Sequence, residues 1–454
     1  NIYKKEEIFR QEGWNYHLEN TEGPLTYNGV VYNEMKGAFS SPDDVLERDI
    51  MNSLFPDITY GCESGGDPEN IPDLSYCDHI PACCLQCIQH RFCRWQKRII
   101  MSSWRPHIMM DMTEKLDFID KKYLSAFDSL HVDSEIQEQK PFDKMHDLVM
   151  EYPVAESESE ENNSYLAYSV VTGNAMNSLE CTAFDVLDYA LLGAPGAPLK
   201  KALLDAEIGS DVYGSYEDGI RQTYFDVIAK GADPSRKEEF VSIIRRVLTE
   251  IVQNGIDPKA LEAGINCMEF RYREADFSSY PKGLIYGLDI LDNWLYDDEH
   301  PFAQVQLIPV FDKLKELKNQ RYFEGLIQKY LLDNTHGSIL TLNPSRGLTA
   351  RRAKALEEKL AAHLASLNDE EKAEMVQKTV ELERYQETPE DPETAKCIPM
   401  LKREDIRKEI TPFTNEALDI DGSLFLYHEV PTNGIGYLDL MFDLKDLSDT
   451  KISY

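Results

Sequence analysis

Apolar residues recur at helical spacing early in the chain. Val30, Val31, Met35, Ala38 and Phe39 fall on one helical face, and Val45, Leu46, Ile50 and Leu54 on the face of a second helix. Between them Ser41-Pro42-Asp43-Asp44 is a start signal, with Ser41 as N-cap, Pro42 at the first helical position and Asp44 closing a capping box. Tyr165 to Val171 is near-continuously apolar and reads as a strand, as does Tyr224 to Gly231. Ala183 to Leu192 is helical. The run Gly193-Ala-Pro-Gly-Ala-Pro-Leu is a turn-rich break, and no Gly-Lys-Ser/Thr follows to make it a phosphate loop. Asp233-Pro234 opens a helix through Ile243, Val247 and Ile251 to a stop at Asn254-Gly255. Asp257-Pro258 opens another, with Leu261, Ile265 and Met268 on one face.

The later part reads differently. Leu348, Ala355, Leu356, Leu360 and Leu364 form one stripe, interrupted at Arg352; Asn368 caps a second arm lined by Met375, Val376, Val380 and Leu382. This is an antiparallel helical hairpin. Gly434 to Leu444 alternates in part and reads as a strand. The stretch 131–164, broken by Pro141 and Pro153 and carrying an acidic loop from Glu156, reads as a connector.

Charge narrows the partners. Asp and Glu outnumber Lys and Arg by 81 to 47, a net charge of −34. Nucleic acid and anionic membrane both require a basic surface and are excluded; cationic partners are favoured. No apolar run approaches the roughly 18 residues of a membrane span. The chain starts at Asn1 with no signal-peptide pattern and reads as truncated, so targeting is not judged from it.

Residues 77–110 are anomalous. Five of the nine Cys lie between Cys77 and Cys93, and Glu is absent. Three readings compete: a zinc site at Cys84, Cys87, His90 and Cys93, whose spacing is knuckle-like; an ordinary basic segment; and a stretch that has lost its reading frame, which is favoured. A Cys nucleophile with His90 nearby is a further, weaker option.

Glu34 stands inside the first apolar run. A carboxylate there needs a partner, either a Lys or Arg or a metal ion. Around it, Val30-Val-Tyr-Asn-Glu-Met-Lys-Gly-Ala-Phe-Ser-Ser-Pro-Asp43, Leu54-Phe-Pro-Asp57, the block from Tyr60 to Leu74 and, upstream, Phe9-Arg-Gln-Glu-Gly-Trp14 resemble the presequence-protease branch of the pitrilysin/insulinase zinc metallopeptidases. The resemblance implies that Glu34 is the third zinc ligand. It implies an α+β fold of repeated metallopeptidase-type α/β sandwich modules, one partial and one nearly complete, plus a helical hairpin linker. The expected layout is residues 1–150 as the remainder of the zinc-ligand-bearing module, 151–343 as the second, 344–405 as the linker and 406–454 as the start of a third.

Zinc hydrolysis of peptides needs three protein ligands, an open position for water and a general base. The family's inverted His-x-x-Glu-His helix supplies two ligands and the base. None of the ten histidines here lies four residues from another; Tyr296-Asp-Asp-Glu-His300 is a near miss, read as a loop before Pro301. The motif is expected upstream of Asn1 and the family's second half downstream of Tyr454. The resulting expectation is the central fragment of a zinc metallo-endopeptidase for short unstructured peptides, cationic ones favoured, inactive alone. The alternatives are a non-catalytic chamber subunit of a two-chain peptidase and a small zinc module at Cys84 to Cys93. The compartment expected is bacterial-type cytoplasm, with an organelle matrix as the alternative.

Overall fold

The computed structural model describes residues 6–63, 65–74, 112–122, 124–126, 135–389, 391–396, 398, 400–406, 408–409, 415–430 and 432–445. The whole segment 77–110, including Cys84, Cys87, His90 and Cys93, lies outside them. The described residues form two compact units, one drawn from 1–268 and 277–389, the other from 269–276 and 390–454.

The first unit opens with α1 (Glu6–Glu12), a short hairpin of β1 (Asn15–His17) and β2 (Thr26–Asn28), α2 (Val30–Ala38) and α3 (Pro42–Leu54). After α4 (Met112–Lys122) come β3 (His146–Val154), β4 (Ser164–Val171), α5 (Ser178–Asp188), α6 (Pro198–Asp205), β5 (Asp211–Tyr213), β6 (Tyr216–Glu217) and β7 (Tyr224–Ala232). Helices α7 (Lys237–Asn254), α8 (Pro258–Glu274, of which residues 269–274 count with the second unit), α9 (Lys282–Trp294), α10 (Ile308–Leu317) and α11 (Tyr322–Leu326) lead to β8 (Gly337–Arg346). A hairpin of α12 (Leu348–Ser366) and α13 (Asp369–Glu387) follows.

One mixed sheet organises the unit, in the order β3-β8-β4-β7-β5 with β6 also on β7. Every residue of β4 is buried, as its near-continuous apolar run requires, because both faces of the sheet are covered. Phe240, Ile244 and Leu248 of α7 are buried, and Phe184 of α5 meets Phe225, which points away from Tyr224 and Ile228. On the Tyr224 and Ile228 side lies α3, whose Val45, Leu46, Ile50 and Leu54 share a core with Tyr165, Ala167, Leu340 and Leu342. Fully burying side chains of this size contributes about 1.5–3 kcal/mol each. At Gly231, with φ of +68°, the β4–β7 register slips by one residue, a bulge that favours glycine.

Several expectations are corrected. The connector contains β3, and Pro153 is tolerated in it because β3 is an edge strand. Strand β8 runs through Pro344, past Leu342, the last residue that pairs with β4, so the missing N–H breaks no bond there. Helix α5 begins at Ser178 and gives way at Tyr189 to a wider π turn ending at Gly193. Ser41 accepts from the Asp44 N–H, but the return half of a capping box is missing: an Asp is one methylene shorter than the Glu that makes it. The box forms instead at Asn368 with Glu371. Leu360, Leu356, Leu364, Met375 and Val376 of the hairpin pack with Leu18 and Leu25, whereas Val380 is exposed.

The second unit carries α14 (Pro392–Ala395) and a hairpin of β9 (Glu416–Ile420) with β10 (Ser423–Tyr427). Residues 434–444, expected as a strand, are not one: among the described residues no strand pairs with them, and a strand is defined by its ladder. Among the described residues no helix is long and apolar enough to cross a membrane.

Candidate functional site

Glu34 is placed by the turn that opens α2. Gly29 holds φ of +141°, and a Cβ there would lie 2.3 Å from the Gly13 carbonyl oxygen, so the hairpin and the helix meet at a position that favours glycine. The Asn28 side-chain oxygen accepts from the Gly29 N–H and from Asn33 Nδ2, both at 2.9 Å. Tyr32 is the buried residue of the helix, with Tyr27 edge-on to its ring at 5.6 Å. Of the apolar face predicted around Glu34, the two valines are turned outward, while Met35, Ala38 and Phe39 are half-buried. Val30 and Val31 are 43% and 37% exposed, and Glu34, one turn on and on the same side, is exposed too.

This corrects the picture of a carboxylate inside a covered helix. Among the described residues Glu34 has neither a Lys nor an Arg partner, and no group of three His, Cys, Asp or Glu is placed to hold a metal ion. Zinc takes three or four protein ligands, so the described residues alone do not make a zinc site. The near miss at His300 is a loop, where His300 Nδ1 lies 2.8 Å from Asp297.

A concave site escaped the sequence analysis. A cavity of about 540 Å³ is lined by Asp188, Leu192, Pro195, Lys200, Tyr213 and Gly214. It opens where the π turn after α5 runs into the Gly-Pro loop. Burial pushes the Asp188 carboxyl up to about 6. Lys200 is 3.3 Å from Asp211, which tempers its charge. The sequence signal was the Gly-Ala-Pro-Gly-Ala-Pro run, read only as a break. Cys181 is no nucleophile: burial raises its thiol to about 12.

Comparison with known proteins identifies these parts. Residues 111–267 match the model of the Peptidase M16 inactive domain, and residues 342–454 that of the region associated with subfamily C of the M16 peptidases. The chain belongs to the M16 peptidase family. It is 40% identical over its full length to "Protein HypA" of Clostridium perfringens, covering 46% of that protein. Over 97% of its length it is 31% identical to "Presequence protease 1, chloroplastic/mitochondrial" of Arabidopsis thaliana, covering 40% of it. These relatives put this M16 chain in the presequence-protease branch, and it spans less than half the length of either. A crystal structure of a conserved protein from Enterococcus faecalis V583 superposes with a TM-score of 0.50 at 11% identity, covering 69% of this chain and 67% of that one.

Proposed function

We propose that this M16 chain is the central part of a zinc metallo-endopeptidase that degrades short unstructured peptides, cationic ones favoured, and that it is inactive alone. The observation that carries the reading is Glu34 itself. It is an exposed carboxylate on an uncovered helix face, flanked by exposed valines, in the block that resembles the family's third ligand. Glu34 would supply one carboxylate oxygen to zinc, with both histidines and the base coming from an inverted His-x-x-Glu-His helix. The layout proposed is residues 1–150 as the ligand-bearing module, 151–343 as the second module, 344–405 as the linker and 406–454 as the start of a third. The compartment proposed is bacterial-type cytoplasm, with an organelle matrix as the alternative.

A second reading is a non-catalytic chamber subunit. The match of residues 111–267 to an inactive domain favours it. Two experiments separate the readings. The purified chain is incubated with an unstructured basic peptide, with and without chelator, and its zinc is counted; less than one equivalent and no chelator-sensitive cleavage are expected. In a polypeptide carrying the His-x-x-Glu-His helix ahead of these residues, Glu34→Gln should lower zinc affinity by more than the roughly 10–100-fold that an outer-shell change costs. Unchanged zinc in that variant overturns the ligand role and leaves the subunit reading.

A further inference from the structure

A helix ends with carbonyls that have no donor within the helix. At the end of α3, imidazoles take two of them. His146 Nδ1 donates to the Ser53 oxygen at 3.1 Å and His336 Nε2 to the Leu54 oxygen at 2.9 Å. His146 begins β3 and His336 immediately precedes β8, so both sit at one end of the sheet. Phe142 stacks on His146 with centroids 3.8 Å apart and meets His336 at 4.6 Å; Phe55 meets the His336 ring at 6.1 Å. His336 is 3% exposed. Helix α3 is tied in turn to α2, since only Phe39, Ser40 and Ser41 separate them and the Arg48 guanidinium lies 4.2 Å over the Phe39 ring.

We infer that His146 and His336 are positioning residues, a latch that holds α3, and through it the Glu34 helix, against the sheet, and that the latch weakens on acidification. The consequence for Glu34 rests on the function proposed above; the latch does not. A carbonyl only accepts, so each bond fixes the imidazole proton on the bonded nitrogen, and protonation adds a charge at the other one. The helix C-terminus favours a nearby cation. Here the cost of burial outweighs that: burial, then repulsion from His146, depress His336 below its ordinary value, against the Leu54 bond.

Charges on the surrounding elements are engaged or outside. Asp49, earlier on α3, is held by Arg48, and Asp147 of β3 by Lys237. Asp57 accepts from Gln139, Asp143 and Lys144 are exposed, and Tyr224 of β7 faces Phe55. The sign follows from the depressed value. The latch is intact above the ordinary histidine pKa of about 6.5 and loosens as pH falls through it toward the folded value.

Hydrogen exchange on the chain itself tests this without zinc or peptide, so its outcome is separate from that of the peptidase reading. Protection of residues 48–56, corrected for intrinsic rate, is compared at pH 7.5 and 5.0. Wild type should lose about tenfold for each pH unit by which His336 lies below its ordinary value. His336→Gln keeps a donor and cannot titrate, so it should hold its protection at pH 5.0. If that variant does not fold, His146→Gln serves, with a loss smaller than wild type expected because one of the causes that depress His336 is removed. Wild-type protection that does not change, or an equal loss in the variants, overturns the latch.

Discussion

Helices α2 and α3 are adjacent and carry equally clear apolar periodicity, yet they end in opposite environments. Along α3, Val45, Leu46, Ile50 and Leu54 are buried in one core with the sheet. Along α2 only Tyr32 is buried, while Val30 and Val31 face solvent. Periodicity says which face can be covered. What covers it is decided by tertiary structure, and α3 has a sheet to lie on.

The largest effect should separate the two helices. Leu54 is fully buried, so Leu54→Ala should cost about 2–5 kcal/mol through lost transfer energy and a residual cavity. Val31→Ala should stay within about 0.5 kcal/mol, as surface changes do. Urea denaturation of both variants checks the contrast. Equal losses would mean that the valine face of α2 is buried in solution, and the comparison would fail.

The face that α3 covers also carries a polar row. Ser53 Oγ lies 2.6 Å from Ser338 Oγ, Ser338 is paired across the strands with Ser169, and Ser169 with Asp226. Burial is the main cause that pushes Asp226 up to about 7. A carboxyl raised in the fold above its unfolded value of about 3.9 favours the folded state at low pH and withdraws that contribution as pH rises from about 4 to 7. Asp226→Asn should therefore gain stability over wild type at pH 8 and lose the advantage at pH 4. Each pH unit by which the fold raises this carboxyl corresponds to about 1.4 kcal/mol of that difference. Melting curves across that range check the sign. His336 works the other way and weakens the same layer in acid, so the two contributions oppose each other where their windows overlap.

How much was legible follows from these residues. Strand β4 was readable because both faces are covered and its sequence is apolar throughout. Strands β3 and β8 were not, since Pro153 and Pro344 look like breaks until the edge position and the end of the β4 pairing are known. The Glu34 block was recognisable as sequence, but its exposure was not, because helical spacing does not reveal an uncovered face. The cavity was hidden because Tyr213 and Gly214 reach the Gly-Pro loop only through the sheet.

The smallest effect compares the helix starts. Asn368 accepts from both Glu370 and Glu371 N–H at 2.9 Å, and Glu371 returns a bond to the Asn368 N–H at 2.8 Å. Ser41 accepts once, from Asp44 at 3.4 Å, near the limit of a hydrogen bond. Asn368→Ala should cost about 1–2 kcal/mol and Ser41→Ala about 0.5 kcal/mol, since a cap is worth what its bonds are worth. Helix α3 then keeps its place through its buried face and its capped C-terminus rather than its start. A Ser41→Ala loss as large as that of Asn368→Ala, measured by the same denaturation, would show that the start matters as much as the core.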